Sequence, residues 1–502
     1  MSIEYKGKRV PGTPLTKQED EYLRHDALVL HEAMNKVFKM TESERITIGA
    51  MCLEEFNRLC FHDHKERKAI MPDLTKVECP IEGFKHADEY IRKAYRGGWC
   101  YVKKGRNNTK TVTNVIKNGC TVDYNSLYPS MMHSESGNYY PYGTPKWFKG
   151  EIPVEVINRT KQNKCYYFVR IKTRFKLRKG YLPCIQIKGS NMYGAREWLE
   201  TSDINGKNVY RDLNQNIVEA RPILTLTWVD YELIKEHYEL YDTEILDGCY
   251  FRTTTGIFDP YIDKWAKIKR TSKGPMRAWS KLFLNNLSGK LAASTRSSYK
   301  VPFLDEDGIL RFELVDANEK QPGYIAAGAA VTSFGRNATI RASQMNYKHF
   351  CYADTDSMHC DCAPRYLKGI ETHPTDFCRW KVETEWDEAV FVRAKSYVEH
   401  VVKEDGEKVE PYFLVKCAGL GKKGKKNILK MMDPTKALKE LEDEKDKITE
   451  EEYQEELKTI KKYIKKPMKI EEFREGLIVE GNLKAHQIEG GTVLIDNTFV
   501  LR

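Results

Sequence analysis

Two aspartates separated by one residue follow an apolar run in the segment FCYADTDSMH, residues 350–359. In an extended strand Asp354 and Asp356 lie on the same face, where their charges repel each other. Burying an unpaired carboxylate beside another is costly, and a cation between them would remove much of that cost. A water-exposed loop would also relieve the repulsion. The pair alone therefore leaves two alternatives, a metal site and a solvated loop.

A third carboxylate, Asp123, ends a short apolar segment in GCTVDYNSLYPSMM, residues 119–132. If this segment pairs in one sheet with the one that ends at Asp354, the three aspartates meet at one edge. Such an edge suits two hard divalent ions, of which Mg²⁺ is the usual choice when phosphates share the site. Two ions of this kind activate an attacking hydroxyl and stabilise a leaving pyrophosphate in an in-line displacement.

A basic helix is predicted over residues 274–292, GPMRAWSKLFLNNLSGKL, with its polar residues spaced by four. Arg277, Lys281 and Asn285 share one helical face, and two further lysines, Lys264 and Lys269, lie upstream. The roughly opposite face is apolar and can pack on a core. Two cations and an amide in line match a triphosphate. An amphipathic surface helix with no ligand is the alternative.

The chain that must position these groups has 502 residues. It contains 82 Lys+Arg and 72 Asp+Glu, which gives a net charge of +10. The length predicts several domains or subdomains. Basic blocks at 261–281, 416–430 and 458–469 suit a polyanion such as nucleic acid, or else a solvated helix face. There is no apolar run that could span a bilayer and no signal peptide, and the 13 cysteines are odd in number and irregularly spaced. These features predict reduced thiols in a cytoplasm.

Hydrophobic periodicity predicts a mixture of helices and strands. Helices are expected over 19–38 and 323–345, a β-hairpin over 299–315, and strands with loops over 150–255. After residue 430, Asp433-Pro434 and the capping box Thr449-x-x-Glu452 predict two charged helices that form a hairpin.

Three strings resemble the motifs of the family B DNA polymerases. DYNSLYPS from Asp123 is similar to motif A, KLFLNNLSG from Lys281 to motif B, and YADTDS from Tyr352 to motif C. More narrowly, the chain resembles the protein-primed phage branch from about residue 4 to its end. YRGGW (95–99), TSFGR (332–336) and KSY (395–397) are similar to that branch's YxGG, TxGR and KxY motifs. KCAGL (416–420) and the terminal GGTVLIDNTFVLR resemble the start and finish of its thumb.

The resemblance implies a role for each matching position. Asp123 and Asp356 would bind the two metal ions with Asp354 beside them, and Tyr128 would stack under the incoming sugar and exclude a 2′-hydroxyl. Polar side chains would hold the nucleotide triphosphate: Lys264, Lys269, Arg277, Lys281 and Asn285. Residues of the three branch motifs would contact template and primer DNA: Tyr95, Gly97, Gly98, Thr332, Arg336, Lys395 and Tyr397.

The implied fold class is α+β, a right-hand polymerase fold of palm, fingers and thumb with two insertions that resemble terminal-protein regions. The implied segments are an exonuclease-domain remnant (1–46), the first part of the palm (47–147), the first terminal-protein region (148–255), fingers (256–293), the second terminal-protein region (294–325), the second part of the palm (326–416) and the thumb (417–502) with a charged helical insertion at about 433–467.

The implied function is DNA-directed DNA synthesis, in which dNTPs are added to a 3′-hydroxyl with two Mg²⁺ ions, Mn²⁺ being able to substitute. Protein priming and strand displacement are expected, in the replication of viral or mobile-element DNA, in the host cytoplasm if the chain is viral. The expected partners are primer–template DNA, dNTPs, a terminal protein and a separate exonuclease chain, without a membrane.

Two departures from the family pattern matter. Motif B carries Asn286 and Ser288 where serine and tyrosine are expected, which predicts weaker packing against the nascent base pair. Tyr22 and Asp26 in YLRHD resemble the third exonuclease motif, but the acidic motifs that precede it in the family are missing from this sequence. One aspartate cannot hold two ions, so no 3′–5′ exonuclease activity is expected in this polypeptide. Three alternatives follow: a separate chain supplies the activity, the protein lacks editing, or the sequence is truncated.

Other interpretations remain open at this stage. The altered motif B is also compatible with a catalytically impaired remnant that binds DNA or a terminal protein. A nuclease would need a second complete metal site, which the sequence does not show. Cys60, His62 and His64 have zinc-ligating side chains, but no fourth ligand is evident and their spacing favours a surface cluster.

Overall fold

The computed structural model describes residues 14–188, 197–203, 209–211, 217–219, 221–294, 298–304, 310–316, 322–488 and 491–501. The helices, in chain order, are α1 (Lys17–Thr41), α2 (Ile48–Cys60), α3 (His64–Ile70), α4 (Ala87–Arg92), α5 (Leu127–Met132), α6 (Val154–Lys161), α7 (Trp228–His237), α8 (Asp259–Thr271), α9 (Gly274–Leu291), α10 (Ile325–Met345), α11 (Lys422–Met432), α12 (Pro434–Asp443) and α13 (Glu450–Ile464). The strands are β1 (Cys100–Val102), β2 (Ile116–Tyr124), β3 (Tyr140–Lys149), β4 (Tyr166–Leu177), β5 (Val209–Arg211), β6 (Ile217–Glu219), β7 (Ile223–Thr227), β8 (Tyr238–Thr254), β9 (Ser298–Leu304), β10 (Leu310–Asp316), β11 (Phe350–Asp354), β12 (Ser357–Cys360), β13 (Trp380–Arg393), β14 (Ser396–Glu404), β15 (Glu407–Cys417), β16 (Ile478–Ile488) and β17 (Gly491–Val500). Within these ranges no helix combines the length and the apolar composition needed to cross a bilayer.

The chain divides into two compact units. The smaller comprises Met1–Ala69 and Ile257–Lys290, and the larger comprises Ile70–Gly256 and Leu291–Arg502. In the smaller unit α2 packs on α8. The ring of Phe56 lies 5.5 Å from that of Phe258, and Trp265 stacks on Phe283 at 4.1 Å. The sequence analysis placed residues 47–69 in the first part of the palm, whereas here they lie in the unit that contains α8. The predicted domain boundaries stay predictions.

Helix α1 begins with a capping box, in which the Thr16 hydroxyl accepts from the Glu19 amide and the Glu19 carboxylate accepts from the Thr16 amide. The helix predicted over 19–38 is confirmed and is longer at both ends. Its apolar side chains are largely uncovered, since Leu23 is 49% and Leu30 61% exposed.

Helix α9 has the two faces that its periodicity predicts. Phe283 and Leu287 are buried in the smaller unit. Arg277, Lys281 and Asn285 are exposed on the other side of the helix. A row of polar side chains is therefore presented to solvent from a helix whose other face is held in a core.

A seven-stranded antiparallel sheet organises the larger unit, in the order β1-β11-β12-β2-β13-β14-β15. Strand β12 is short and lies between β11 and β2, so segments more than 200 residues apart in sequence become neighbours. Helix α10 packs on this sheet and confirms the helix predicted over 323–345. Its contribution to the core includes Ile340, which packs with Val122, Phe350 and Trp99.

The segment between residues 140 and 254 forms a second sheet in the order β3-β8-β4-β7, with α6 and α7 against it. The prediction of strands and loops there missed these two helices. The hairpin predicted over 299–315 is confirmed by the pairing of β9 with β10. The turn residues 305–309 lie outside the described residues.

The two charged helices predicted after residue 430 are also confirmed. The Asp433 carboxylate caps α12 by accepting from the Lys436 amide at 2.9 Å. Thr449 and Glu452 form the predicted capping box of α13. Leu441, Tyr453 and Ile460 bury a small core of their own between the two helices.

Candidate active site

Asp354 and Asp356 lie at a tight hairpin turn. Asp354 is the last residue of β11 and pairs with Ser357, the first residue of β12, so Thr355 and Asp356 form the turn. In an extended strand the two carboxylates would lie on one face, whereas here the hairpin turn separates them. Thr355 has a φ of 65°, which a β-branched residue adopts only under strain. The chain reverses between the two carboxylates.

Strand pairing brings Asp123 to the same edge. Ser357 pairs with Asp354 on one side and with Asp123 on the other, and the Tyr124 amide donates to the Asp356 carbonyl at 2.7 Å. The predicted pairing of the two acidic segments in one sheet is therefore observed. Three carboxylates from two distant parts of the chain lie at one end of three adjacent strands.

The strained turn is held from two sides. The Thr355 amide donates to the Trp99 carbonyl at 2.8 Å, and the Thr339 hydroxyl of α10 donates to the Thr355 carbonyl at 2.8 Å. Gly98 lies so close that a Cβ atom on it would be 2.3 Å from Thr355 Oγ1 and 2.8 Å from Thr355 Cβ. The need for glycine at position 98 thus comes from a protein contact with the turn.

The Asp354 carboxylate is already paired. Its Oδ1 accepts from the Cys100 thiol at 2.9 Å and from Lys395 Nζ at 2.6 Å. Burial alone would raise the pKa of Asp354, but the hydrogen bonds from Cys100 and Lys395 outweigh it and the pKa falls below its ordinary value. The same contact has the opposite effect on the thiol, since burial and the Asp354 charge raise the pKa of Cys100 to about 11.

Lys395 lies in the turn between β13 and β14 with a φ of 60°. Its amide donates to the Tyr352 hydroxyl at 2.8 Å, and its carbonyl accepts from the Ala418 amide at 2.8 Å. Tyr397, two residues later, is buried with its ring 5.3 Å from that of Tyr352. The backbone of this turn is therefore fixed while the ammonium group of Lys395 reaches Asp354.

Asp356 differs electrostatically from Asp354. Burial raises the pKa of Asp356, and the nearby charge of Asp354 raises it further. The three aspartates open onto a cavity of about 600 Å³. Its other charged lining residues are Glu383, Lys395, Glu399, Glu404, Lys416 and Lys425.

The chemistry of these side chains fits divalent ions. Carboxylate oxygens are the ligand atoms that Mg²⁺ prefers. A bound cation near Asp356 would offset the repulsion from Asp354 that raises the pKa of Asp356. In the described part of the chain, no three His, Cys, Asp or Glu side chains converge closely enough to enclose an ion by themselves. Oδ1 of Asp354 already accepts from Cys100 and Lys395, which reduces the capacity of this carboxylate to ligate an ion.

Tyr128 lies on α5, directly after the strand that carries Asp123. It packs against Gly335 of α10, where a Cβ atom would be 3.1 Å from Tyr128 Cε1. Burial raises the pKa of the Tyr128 hydroxyl to about 12, so it remains protonated at neutral pH. The Tyr128 ring is thus held beside the three aspartates by its contact with Gly335 of α10, a residue that has no side chain.

The TSFGR segment is used inside the protein. Thr332 is buried and its hydroxyl donates to the Ala329 carbonyl at 3.2 Å. Arg336 is 3% exposed and pairs with Asp230 at 2.6 Å. Its guanidinium also donates to the Arg96 and Gly97 carbonyls at 2.6 and 2.9 Å. The resemblance implies phosphate contacts for Thr332 and Arg336, whereas in this structure their polar groups bond to protein.

Tyr95 and Gly97 lie in the segment that Arg336 holds. Burial raises the pKa of Tyr95. Among the described residues, no other atom lies within 4 Å of the position that a Cβ on Gly97 would take, in contrast to Gly98. A ligand could therefore approach the backbone at Gly97, while Gly98 is covered by Thr355.

The remaining predicted residues belong to the smaller unit. Lys264 forms an ion pair with Glu55, a fully buried carboxylate that also accepts from the Trp265 indole at 2.8 Å. Arg277 donates to the Lys269 carbonyl at 3.4 Å. Ser288, which replaces the motif B tyrosine, is buried and bonds to the Asn285 carbonyl of its own helix at 3.0 Å.

Tyr22 and Asp26 lie on α1, where Asp26 is exposed and Tyr22 half-buried. The sequence analysis missed Cys100, Glu383 and Glu399 near the aspartates. Cys100 follows the YRGGW string directly, which is the one local signal that could have pointed to it. Glu383 and Glu399 occur in strands with no motif around them, and only strand pairing brings them to the cavity.

Comparisons with known proteins agree with this arrangement. Residues 2–367 match a family model described as DNA polymerase type B, organellar and viral. The DNA polymerase of Bacillus phage Nf is 32% identical over 512 residues, which cover 100% of this chain and 75% of that protein. The DNA polymerase of Streptococcus phage Cp-1 is 30% identical over 98% of this chain and 74% of that protein. Among solved structures, phi29 DNA polymerase complexed with primer–template DNA and incoming nucleotide superposes with a TM-score of 0.75 and 30% identity, over 100% of this chain and 75% of that one.

Proposed function

Because this chain belongs to the type B DNA polymerases of organelles and viruses, we propose that Asp123 and Asp356 form the centre at which it extends DNA. The chain is a DNA-directed DNA polymerase of the phage type. The observation that carries the assignment of the centre is the pairing of Ser357 with both Asp123 and Asp354. It gathers carboxylates from distant segments at the edge of one cavity, as two-metal phosphoryl transfer requires.

Family B DNA polymerases generally use divalent metal ions, and we propose two Mg²⁺ ions at Asp123 and Asp356, with Mn²⁺ able to substitute. When bound, such ions lower the pKa of the attacking hydroxyl and neutralise the leaving pyrophosphate. Lys395, together with Cys100, lowers the pKa of Asp354 and so keeps this carboxylate ionised. Tyr352 and Ala418 fix the turn that carries Lys395, so the ammonium group is positioned before any substrate arrives.

The nucleotide contacts are proposed from the exposed face of α9. Lys281, Arg277 and Asn285 present two cations and an amide with four-residue spacing, and Lys269 lies on the preceding helix. We assign Lys264 an indirect part, because its ammonium group neutralises buried Glu55. Tyr128 would exclude a 2′-hydroxyl, and its packing on Gly335 supports the rigid ring that such discrimination needs.

The DNA contacts are proposed to divide between direct and indirect residues. Gly97 has open space for a template backbone, while Lys395 and Tyr397 lie beside the aspartates where a primer end must come. Arg336 would act by holding the Tyr95–Gly97 segment through two carbonyls and Asp230. Thr332 would support the same helix. The phosphate contacts that the resemblance implies for Thr332 and Arg336 would require these bonds to break.

Primer–template DNA and dNTPs are the proposed substrates, in line with the complexes formed by phi29 DNA polymerase. Protein priming by a terminal protein, strand displacement and replication in a host cytoplasm are also proposed. We further propose that this chain does not edit, and that a separate chain supplies any 3′–5′ exonuclease. Asp26 lies on an exposed helix, and one carboxylate cannot hold two ions.

Extension of a labelled primer by the native chain and by Asp356→Asn tests the proposal. We expect native extension with Mg²⁺ and a loss of about a thousandfold in the variant, because a metal clamp supplies several kcal/mol and about 1.4 kcal/mol is tenfold in rate. Primer–template affinity should be nearly unchanged. Full extension by the variant would defeat the assignment. Absence of native extension with intact DNA binding would favour the alternative of an impaired remnant, for which buried Ser288 in motif B is the relevant observation.

A further inference from the structure

A buried polar network lies directly beneath the three aspartates. Its centre is Glu399, which is 0% exposed and accepts from the Thr121 hydroxyl at 2.7 Å. Nδ1 of His359, also 0% exposed, lies 2.6 Å from the same carboxylate oxygen. Thr384 donates to the other oxygen at 3.3 Å, and the Trp386 indole donates to the Thr121 hydroxyl at 3.2 Å. The members come from four adjacent strands, β12, β2, β13 and β14.

The network is in register with the candidate active site. Thr121 precedes Asp123 by two residues, His359 follows Ser357 by two, and Glu399 follows Tyr397 by two. Thr121 and His359 are direct partners across β2 and β12, as are Asp123 and Ser357. Because side chains two apart on a strand share a face, the network forms the next layer on the side that carries the aspartates.

The hydrogen bonds assign the protons within the network. Glu399 can only accept when ionised, so Nδ1 of His359 carries the proton that it donates. In the neutral imidazole Nε2 is then an acceptor, and it lies 3.4 Å from the Ser357 hydroxyl. A continuous chain of polar contacts therefore runs from Glu399 through His359 to Ser357, the residue paired with Asp123 and Asp354. A fully buried carboxylate is costly unless such donors surround it.

We propose that Glu399 and His359 are positioning residues that set the register of β12 on β2 and thereby the separation of Asp123 from Asp356. The inference rests on the proposed function, since it assigns these residues to the same two-metal centre. Glu399 contacts neither substrate nor metal in this role. It anchors His359, which orients Ser357, and the strands on either side of Ser357 carry the carboxylates. Burial of one face already disfavours a slip of these strands by one residue, and the directional hydrogen bonds of the network fix the pairing further.

Binding of Mn²⁺ in the absence of nucleotide, followed by electron paramagnetic resonance, tests the role without turnover. Glu399→Leu removes the acceptor of both Thr121 and His359, and we expect the Mn²⁺ dissociation constant to rise about tenfold. Glu399→Gln keeps an acceptor oxygen for both donors and places its amide beside the Thr384 hydroxyl, which can accept. We expect it to bind Mn²⁺ within about twofold of the native chain. Extension rates should follow the same order, with primer–template affinity unchanged in both variants.

A control variant separates positioning from simple loss of stability. His237 is also fully buried and bonds to the Leu182 carbonyl at 2.7 Å, but it lies on α7 outside the network. His237→Leu should lower Tm and leave the Mn²⁺ affinity unchanged. If Glu399→Leu misfolds, Thr121→Val removes the shared hydroxyl with little change of shape and should show the same weakening in milder form.

Two outcomes would overturn the inference. One is a Glu399→Leu or Thr121→Val chain that loses stability but binds Mn²⁺ as the native chain does, like the His237 control. The other is a Glu399→Gln chain that binds Mn²⁺ as weakly as Glu399→Leu does. That result would show that the negative charge of Glu399, and not its hydrogen bonds, strengthens Mn²⁺ binding. Neither outcome would affect the proposed function, which is tested separately by primer extension with the native chain and with Asp356→Asn.

Discussion

Gly98 and Gly97 are adjacent in the sequence, but alanine at the two positions should have different effects. A Cβ on Gly98 would lie 2.3 Å from Thr355 Oγ1 and 2.8 Å from Thr355 Cβ, whereas a Cβ on Gly97 meets no atom of the described residues within 4 Å. Ordinary contact begins near 3.4 Å, so Gly98→Ala must displace Thr355 by about 0.6 Å at Cβ and about 1 Å at Oγ1. That turn carries Asp356 and is joined to Trp99 by a 2.8 Å hydrogen bond. Overpacking of this kind costs about 1–3 kcal/mol of stability.

The effect on catalysis should be larger than the effect on stability. A displacement of about 1 Å in a reacting group lowers a rate by about a hundredfold, so we expect the single-turnover extension rate of Gly98→Ala to fall by that factor. Gly97→Ala should keep the native rate and bind primer–template several times more weakly, because its Cβ takes space proposed for the template. Rapid-quench extension gives the rate, and a filter-binding titration gives the dissociation constant. Equal rates for the two variants would refute the contact between Gly98 and the Thr355 turn as the reason for glycine there.

Three further predictions concern single side chains. Gly335→Ala places a Cβ 3.1 Å from Tyr128 Cε1 and should move the Tyr128 ring by a few tenths of an ångström. In a competition between a dNTP and its ribonucleotide, the ratio of the two incorporated nucleotides should then change. An unchanged ratio would argue against Tyr128 as the residue that excludes the 2′-hydroxyl. Because the pKa of Asp356 is raised, the folded state binds the Asp356 proton more tightly than the unfolded state does, and stability is lost as pH rises through that pKa. Asp356→Asn should therefore raise Tm at pH 7 but not below pH 3.8. Equal Tm shifts at the two pH values would contradict a raised pKa. Ile460→Ala should cost about 2–5 kcal/mol within the hairpin of α12 and α13, measured by hydrogen exchange, while short-template extension stays native.

The sequence predicted the elements that local pattern controls. The four-residue spacing of Arg277, Lys281 and Asn285 gave the exposed face of α9, and the Asp433-Pro434 and Thr449-x-x-Glu452 signals gave the starts of α12 and α13. Each of these features depends on neighbours within one or two helical turns. The strings around Asp123 and Asp354 predicted the acidic edge because each follows a short apolar strand.

Features decided by distant contacts were not predictable in this way. The positive φ of Thr355 is held by contacts with Trp99, Gly98 and Thr339, and nothing in the string YADTDS specifies such a φ at a threonine. Arg336 pairs with Asp230, 106 residues away, so a motif arginine that suggests phosphate binding is buried in protein contacts. Glu399 follows Tyr397 in a strand where a carboxylate would normally be assigned to solvent. It is buried because β14 lies between β13 and β15 in the sheet and the side chain meets Thr121 and His359.

The central claim is that Asp123 and Asp356 together hold a pair of divalent ions, and counting bound Mn²⁺ tests it most directly. The measurement uses the full chain with primer–template DNA and a non-hydrolysable dNTP analogue, with bound Mn²⁺ quantified by electron paramagnetic resonance. We expect about two ions per native chain, and at most one tightly bound ion in both Asp123→Asn and Asp356→Asn. Two tightly bound ions in both variants, with native affinity, would contradict the account.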